Sequence, residues 1–241
     1  MPASFFLFWI TERDLQNLRM ENISEQLFLV AQNPKKKTSF VNGIYCSYGL
    51  VGALLLEMAD EELILVKEKK LHINAQQTTN VPIYNEVLTW IKKSSKIRKL
   101  DYWVRFLAQK SKSLRDQVFQ SLDDQRMIKI HQLKFLGIPY RKIELKGRLE
   151  RKEIVRNLKA SLQQPNDISE LDYALLMLLK TCSLTKEFKK SRSELKSLFK
   201  NLQEKMELGT NNQILNPAIT EIRKAILTSV MVSSVGPITA S

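Results

Sequence analysis

Apolar positions in this chain recur at helical spacing over most of its length and alternate in only two short places. Residues 22–32 read as a short amphipathic helix that stops at Asn33-Pro34, and Lys35-Lys36-Lys37 reads as a loop. No charge then falls between Lys37 and Glu57, a run of 19 positions. That approaches the roughly 20 apolar residues a lipid-spanning helix requires. Thr38, Ser39, Asn42 and Gly43 make its first third a loop, however. The remainder, residues 44–59, predicts a helix apolar on nearly every side, as suits the centre of an all-helical domain. Gly49 and Gly52, three apart, leave a groove free of side chains where a neighbouring backbone can approach.

Residues 63–73 read as a β-hairpin, with Lys67-Glu68-Lys69-Lys70 as its charged connection. Residues 83–94 predict a helix with Val87, Leu88 and Ile91 on one face, and a further helix surrounds Tyr102-Trp103-Val104. Ser113, with Asp116 three residues on, resembles a capping box and predicts a helix from there to about Gln125. Residues 127–145 alternate as strands, with Gly137 and Pro139 breaking any helical reading. A basic amphipathic helix follows over 149–162. An apolar helix over 171–179 comes next, capped by Asp167 or Ser169, and then helices over 188–207 and 217–232. The loop Gly209-Thr210-Asn211-Asn212 separates the last two. The fold class is mainly α: a single helical domain around a buried central helix, with two small β-hairpins. Residues 1–21 form an N-terminal extension, 22–235 the domain and 236–241 a C-terminal tail.

Composition fits this reading. A 44% hydrophobic fraction allows a sizeable core, and seven glycines and seven prolines argue against a barrel or sandwich of many short strands. Cys46 and Cys182 each lie in an apolar helical context and read as buried, reduced thiols of a cytosolic protein. The apolar patch Phe5–Ile10 lacks a basic flank and is too short for a signal peptide or anchor. Charge changes the picture more. Residues 91–160 hold 20 Lys and Arg against 7 Asp and Glu, which accounts for the whole net charge of +13. Positive charge confined to one segment points to an anionic partner.

The chain shows no phosphate loop and no nucleophile elbow, and its two histidines, His72 in a hairpin strand and His131 at a turn, lack ligand-spaced neighbours. The expectation is a protein that is not an enzyme and holds neither metal nor cofactor. Lys110, Lys112 and Arg115, with Arg105 nearby, are the candidate anion-binding residues. Lys112 and Arg115 share one side of a helix start, whose free N–H groups would also face an anion.

The opening helix ISEQLFLVAQ, then TSF and YGLVGALLLEMA, then SLRDQVFQSL, MIKIHQLKFLGI and DISELDYALLMLLKTCSL follow one another in the order of the Golgi phosphoprotein 3 family, which the chain resembles over residues 22–235. The resemblance implies a peripheral membrane protein on the cytosolic face of a membrane that grips the phosphatidylinositol 4-phosphate headgroup, with Lys112 and Arg115 at two headgroup positions. It also implies a membrane-inserting hairpin carrying Leu133, Phe135, Leu136 and Ile138, and cytoplasmic tails of membrane proteins as further partners. Val41 and Val51 replace a family tryptophan and arginine, which leaves a looser preference for anionic phospholipid in place of strict 4-phosphate recognition. Binding of nucleic acid, or of an acidic protein, is the alternative reading of the basic segment.

Overall fold

The computed structural model describes residues 22–32, 44–165 and 168–207, together with 218, 220–222, 224–226 and 228. The N-terminal extension, the lysine run, Val41, Asp167, the 209–212 loop, the end of the last helix and the C-terminal tail lie outside the described residues. Among the described residues, eight α-helices with defined bounds run in order: α1 (Ile23–Ala31), α2 (Ile44–Asp60), α3 (Pro82–Lys92), α4 (Leu100–Gln109), α5 (Ser111–Asp124), α6 (Arg148–Gln163), α7 (Glu170–Thr181) and α8 (Arg192–Glu207). Two antiparallel hairpins interrupt them, β1 (Ile64–Lys67) with β2 (Lys70–Ile73), and β3 (Ile128–Phe135) with β4 (Ile138–Leu145). Helix α8 begins at Arg192, later than the 188 its pattern suggests. A 3-10 turn over Thr185–Phe188 ends in left-handed Lys189 and separates it from α7.

Helix α2 is the centre, packed against α1, α4, α5 and α7. Leu50, Val51, Ala53, Leu54, Leu55 and Met58 are all withdrawn from water, so the helix is lined by protein on every side. No helix among the described residues is long and apolar enough to cross a membrane. The glycine groove is filled by side chains and not by backbone. A Cβ on Gly49 would meet Cys182 Sγ at 2.2 Å, and one on Gly52 would meet Ile226 Cδ1 at 2.2 Å and Leu178 Cδ2 at 2.9 Å. Ser169 is the cap of α7, its hydroxyl accepting from the Asp172 N–H at 3.1 Å.

Helix α1 is nine residues long and almost wholly buried, a length at which an isolated helix is marginal in water. Its own sequence supplies no cap at Asn22. Two buried ionisable side chains from other elements hold its ends instead. At the N-terminus, Glu57 of α2 accepts from the Ser24 N–H at 2.6 Å, from the Ser24 hydroxyl at 3.2 Å and from the Tyr84 hydroxyl at 3.2 Å. At the C-terminus, Arg151 of α6 donates to the Val30 carbonyl at 2.9 Å and the Gln32 carbonyl at 3.1 Å, and also to the Glu187 carboxylate. Acid at the start and guanidinium at the end both complement the helix dipole.

Burial pushes the Glu57 carboxyl from 4.5 up to about 7, against the pull of its Ser24 and Tyr84 hydrogen bonds and with some help from the nearby Glu25 charge. The folded chain therefore holds a proton there between pH 4.5 and about 7 that the unfolded chain has lost. Stability from this group is full below 4.5, falls as pH rises through that window, and levels off above it. The expected fall is on the order of 3 kcal/mol. Urea unfolding at pH 5 and at pH 8 measures it, and Glu57→Gln should remove most of the difference between the two.

Candidate functional site

Two features of the sequence, the basic start of α5 and the β3–β4 hairpin, are brought side by side. Lys110 is at once the residue after α4 and the residue before α5, so the two helices meet at a single residue. The helix starts at Ser111, two residues earlier than the capping pattern suggests. Ser113 is no cap, because its hydroxyl donates to Glu86 of α3 at 3.0 Å. Gln117 also donates to Glu86, and the Ser111 hydroxyl donates to Ser47 of α2 at 2.9 Å. The first turns of α5 are thus braced against two other helices. Lys110 makes no side-chain cap at this N-terminus, and the Ser113 N–H turns back to the Lys110 carbonyl at 3.1 Å. Lys110 and Lys112 are exposed there, and Arg115 is half-buried one turn on. Arg105 is engaged elsewhere, 3.4 Å from Asp101 on its own helix. Val51 is fully buried, so a core contact occupies the position where the family resemblance places an arginine.

The hairpin is joined to this helix by Arg141 of β4, which contacts Asp116 of α5 at 2.6 Å. At its base, Asp123 of α5 accepts from the Ile130 N–H at 3.2 Å. His131 lies within β3 and not at a turn, and its Nε2 is 3.0 Å from Glu144 across the ladder. No group of three or more His, Cys, Asp or Glu that could hold a metal occurs among the described residues.

The register of the hairpin decides what each face does. Ile128 pairs with Leu145, Ile130 with Ile143 and Gln132 with Arg141, so these share one face. That face is apolar and packed on the domain at its base, then polar toward the tip. The opposite face runs the other way. It carries Lys129 with Glu144 and His131 with Lys142 near the base, then Leu133 with Tyr140 and Phe135 with Ile138 near the tip. Its apolar half faces away from the body: Phe135 and Ile138 are each 68% exposed, Tyr140 47% and Leu133 37%. Tyr140 belongs to this patch, although the sequence drew no attention to it. A hairpin serving only as core cover would keep its apolar residues on one side throughout.

The tip itself is a two-residue turn of Leu136 (φ 49°) and Gly137 (φ 80°), both left-handed, as such a tight hairpin requires. Gly137 adopts this freely, but a leucine there costs roughly 1–2 kcal/mol. Leu136 is also 85% exposed, so nothing in the folded domain repays the strain. Leu136→Asn should raise the unfolding free energy by about 1 kcal/mol, because asparagine tolerates this backbone. Urea denaturation of the two proteins side by side measures the change.

A family profile described as Golgi phosphoprotein 3 matches residues 23–226. No curated protein sequence gives a significant match.

Proposed function

The chain belongs to the Golgi phosphoprotein 3 family, and on that premise we propose a non-enzymatic protein that docks peripherally on the cytosolic face of a membrane. Lys112 and Arg115, with Lys110, bind an anionic phospholipid headgroup. Leu133, Phe135, Leu136, Ile138 and Tyr140 enter the interface beside it. The observation that carries this reading is the change of apolar side along the hairpin, which leaves an aromatic and aliphatic tip pointing away from the core. Exposed patches of this kind, rimmed by cations, mark sites of membrane or protein contact. The uncapped start of α5 supplies the complementary half, since guanidinium, ammonium and free N–H groups all bond to phosphate oxygens.

The lipid preference follows from the buried Val51. With a core valine in place of a family arginine, fewer cations address the headgroup, and we expect generic anionic phospholipid to bind nearly as well as phosphatidylinositol 4-phosphate. Co-sedimentation at about 0.1 M salt, a strength that still leaves surface charges visible to each other over about 10 Å, tests the reading. Three vesicle compositions are compared: neutral, generic anionic, and containing phosphatidylinositol 4-phosphate. Anionic vesicles of both kinds should bring the protein down and neutral ones should not. Lys112→Glu/Arg115→Glu should weaken binding at least tenfold, as a charge reversal near an anionic surface costs roughly 1 kcal/mol or more per residue. No sedimentation with any vesicle would overturn the proposal.

A further inference from the structure

The two cysteines, far apart in sequence, meet in the fold. Cys46 stands in the first turn of α2 and Cys182 directly follows the last residue of α7. Their thiols are hydrogen-bonded to each other. The Cys182 sulfur also lies 3.5 Å from the Tyr45 carbonyl oxygen, a second acceptor for its single proton. Gly49, one turn along from Cys46, has no Cβ to keep Cys182 Sγ away from α2. Cys182 Sγ is therefore seated against the first turn of α2, between Tyr45 and Gly49, the turn that carries Cys46.

The two thiols are also unlike. The hydrogen bond from Cys182 and the charge of Arg115 lower the Cys46 thiol below its ordinary range, against the opposing effect of burial. The same hydrogen bond and deeper burial raise Cys182. Cys46 is thus the more acidic thiol of the two, the one that reaches the reactive thiolate more readily, and its neighbour keeps its proton longer. Cys46 keeps 7% of its surface exposed.

We propose that Cys46 and Cys182 are a peroxide-oxidisable dithiol that closes an intramolecular disulfide between the start of α2 and the end of α7. The Cys46 thiolate attacks one peroxide oxygen, the O–O bond breaks, and the departing hydroxide takes up a proton as water, leaving a sulfenic acid on Cys46. The Cys182 sulfur then attacks the Cys46 sulfur. The S–S bond forms, the S–O bond breaks, and hydroxide leaves with the Cys182 proton as a second water. One peroxide is reduced to two waters while two thiols become one disulfide. The bond would staple the central helix to α7 beside the basic start of α5, across a long loop of chain that it withdraws from the unfolded state.

The test needs no membrane, so it fails or succeeds independently of the docking proposal. The native wild-type chain is treated with hydrogen peroxide, then quenched, denatured and alkylated. Both cysteines should escape alkylation, and digestion should release a Cys46–Cys182 linked peptide that dithiothreitol separates. The oxidised protein should unfold several degrees higher than the reduced one and return on reduction. In Cys182→Ser, where no resolving thiol remains, a cyclic dione should trap the sulfenic acid on Cys46. Full alkylation of both cysteines after a treatment that oxidises methionines in the same sample would overturn the proposal. So would a disulfide found only between separate chains.

Discussion

Arg151→Ala should lower the unfolding free energy by about 3–5 kcal/mol, the range for breaking a buried ion pair from one side. The Arg151 guanidinium reaches the Val30 and Gln32 carbonyls and the Glu187 carboxylate together. Alanine would strand two carbonyls at a buried helix end and leave a partly buried carboxylate without its cation, and each such group carries its own desolvation cost. Arg151→Lys should recover only part of the loss. An ammonium is a compact charge without the planar fork that spans two acceptors. Urea unfolding of the three proteins measures the series, and an alanine cost below about 1 kcal/mol would show that α1 is not held from this end.

Phe135→Ser/Leu136→Ser should leave stability intact and remove membrane binding. Both side chains are more than two-thirds exposed, so their loss opens no cavity in the domain. In an interface, each would withdraw about 1.5–3 kcal/mol of apolar area from water. Losing both should weaken vesicle binding by at least about a hundredfold, at 1.4 kcal/mol for each factor of ten. The serine at position 136 is also expected to relieve little of the turn strain. Leu136→Asn separates the two effects, because it should stabilise the fold while still weakening binding. Opposite signs on the two measurements are what a residue kept for contact with another phase should give.

How much of this was legible beforehand differs by element. The central helix could be read because a charge-free run of that length, interrupted by loop residues, has few other uses. Both hairpins could be read from alternation and turn residues. The start of α5 could not, because Ser113 is spaced like a cap and only its partner Glu86, on another helix, draws it sideways. The patch at the hairpin tip was half legible. The family resemblance names Leu133, Phe135, Leu136 and Ile138, but only the register shows that Tyr140 joins them and that the apolar side changes along the ladder. Glu57 and Arg151 escaped notice for a related reason. A single charge on an otherwise apolar helix face looks like a solvated residue until the helix it caps, distant in sequence, is placed against it. The meeting of Cys46 and Cys182 likewise depends on how α7 lies across Gly49.

The depth of the hairpin tip in a bilayer tests the central claim most directly. Leu136→Cys, in a chain with Cys46→Ser and Cys182→Ser, would carry an environment-sensitive fluorophore at the tip alone. Anionic vesicles would hold quenchers either at the headgroup or along the acyl chain. Docking through the tip predicts a blue-shifted emission on adding vesicles and stronger quenching from the acyl-chain position. Emission that stays water-like while the protein is bound to the vesicles would contradict it, and would mean that the basic surface binds without the hairpin entering the membrane.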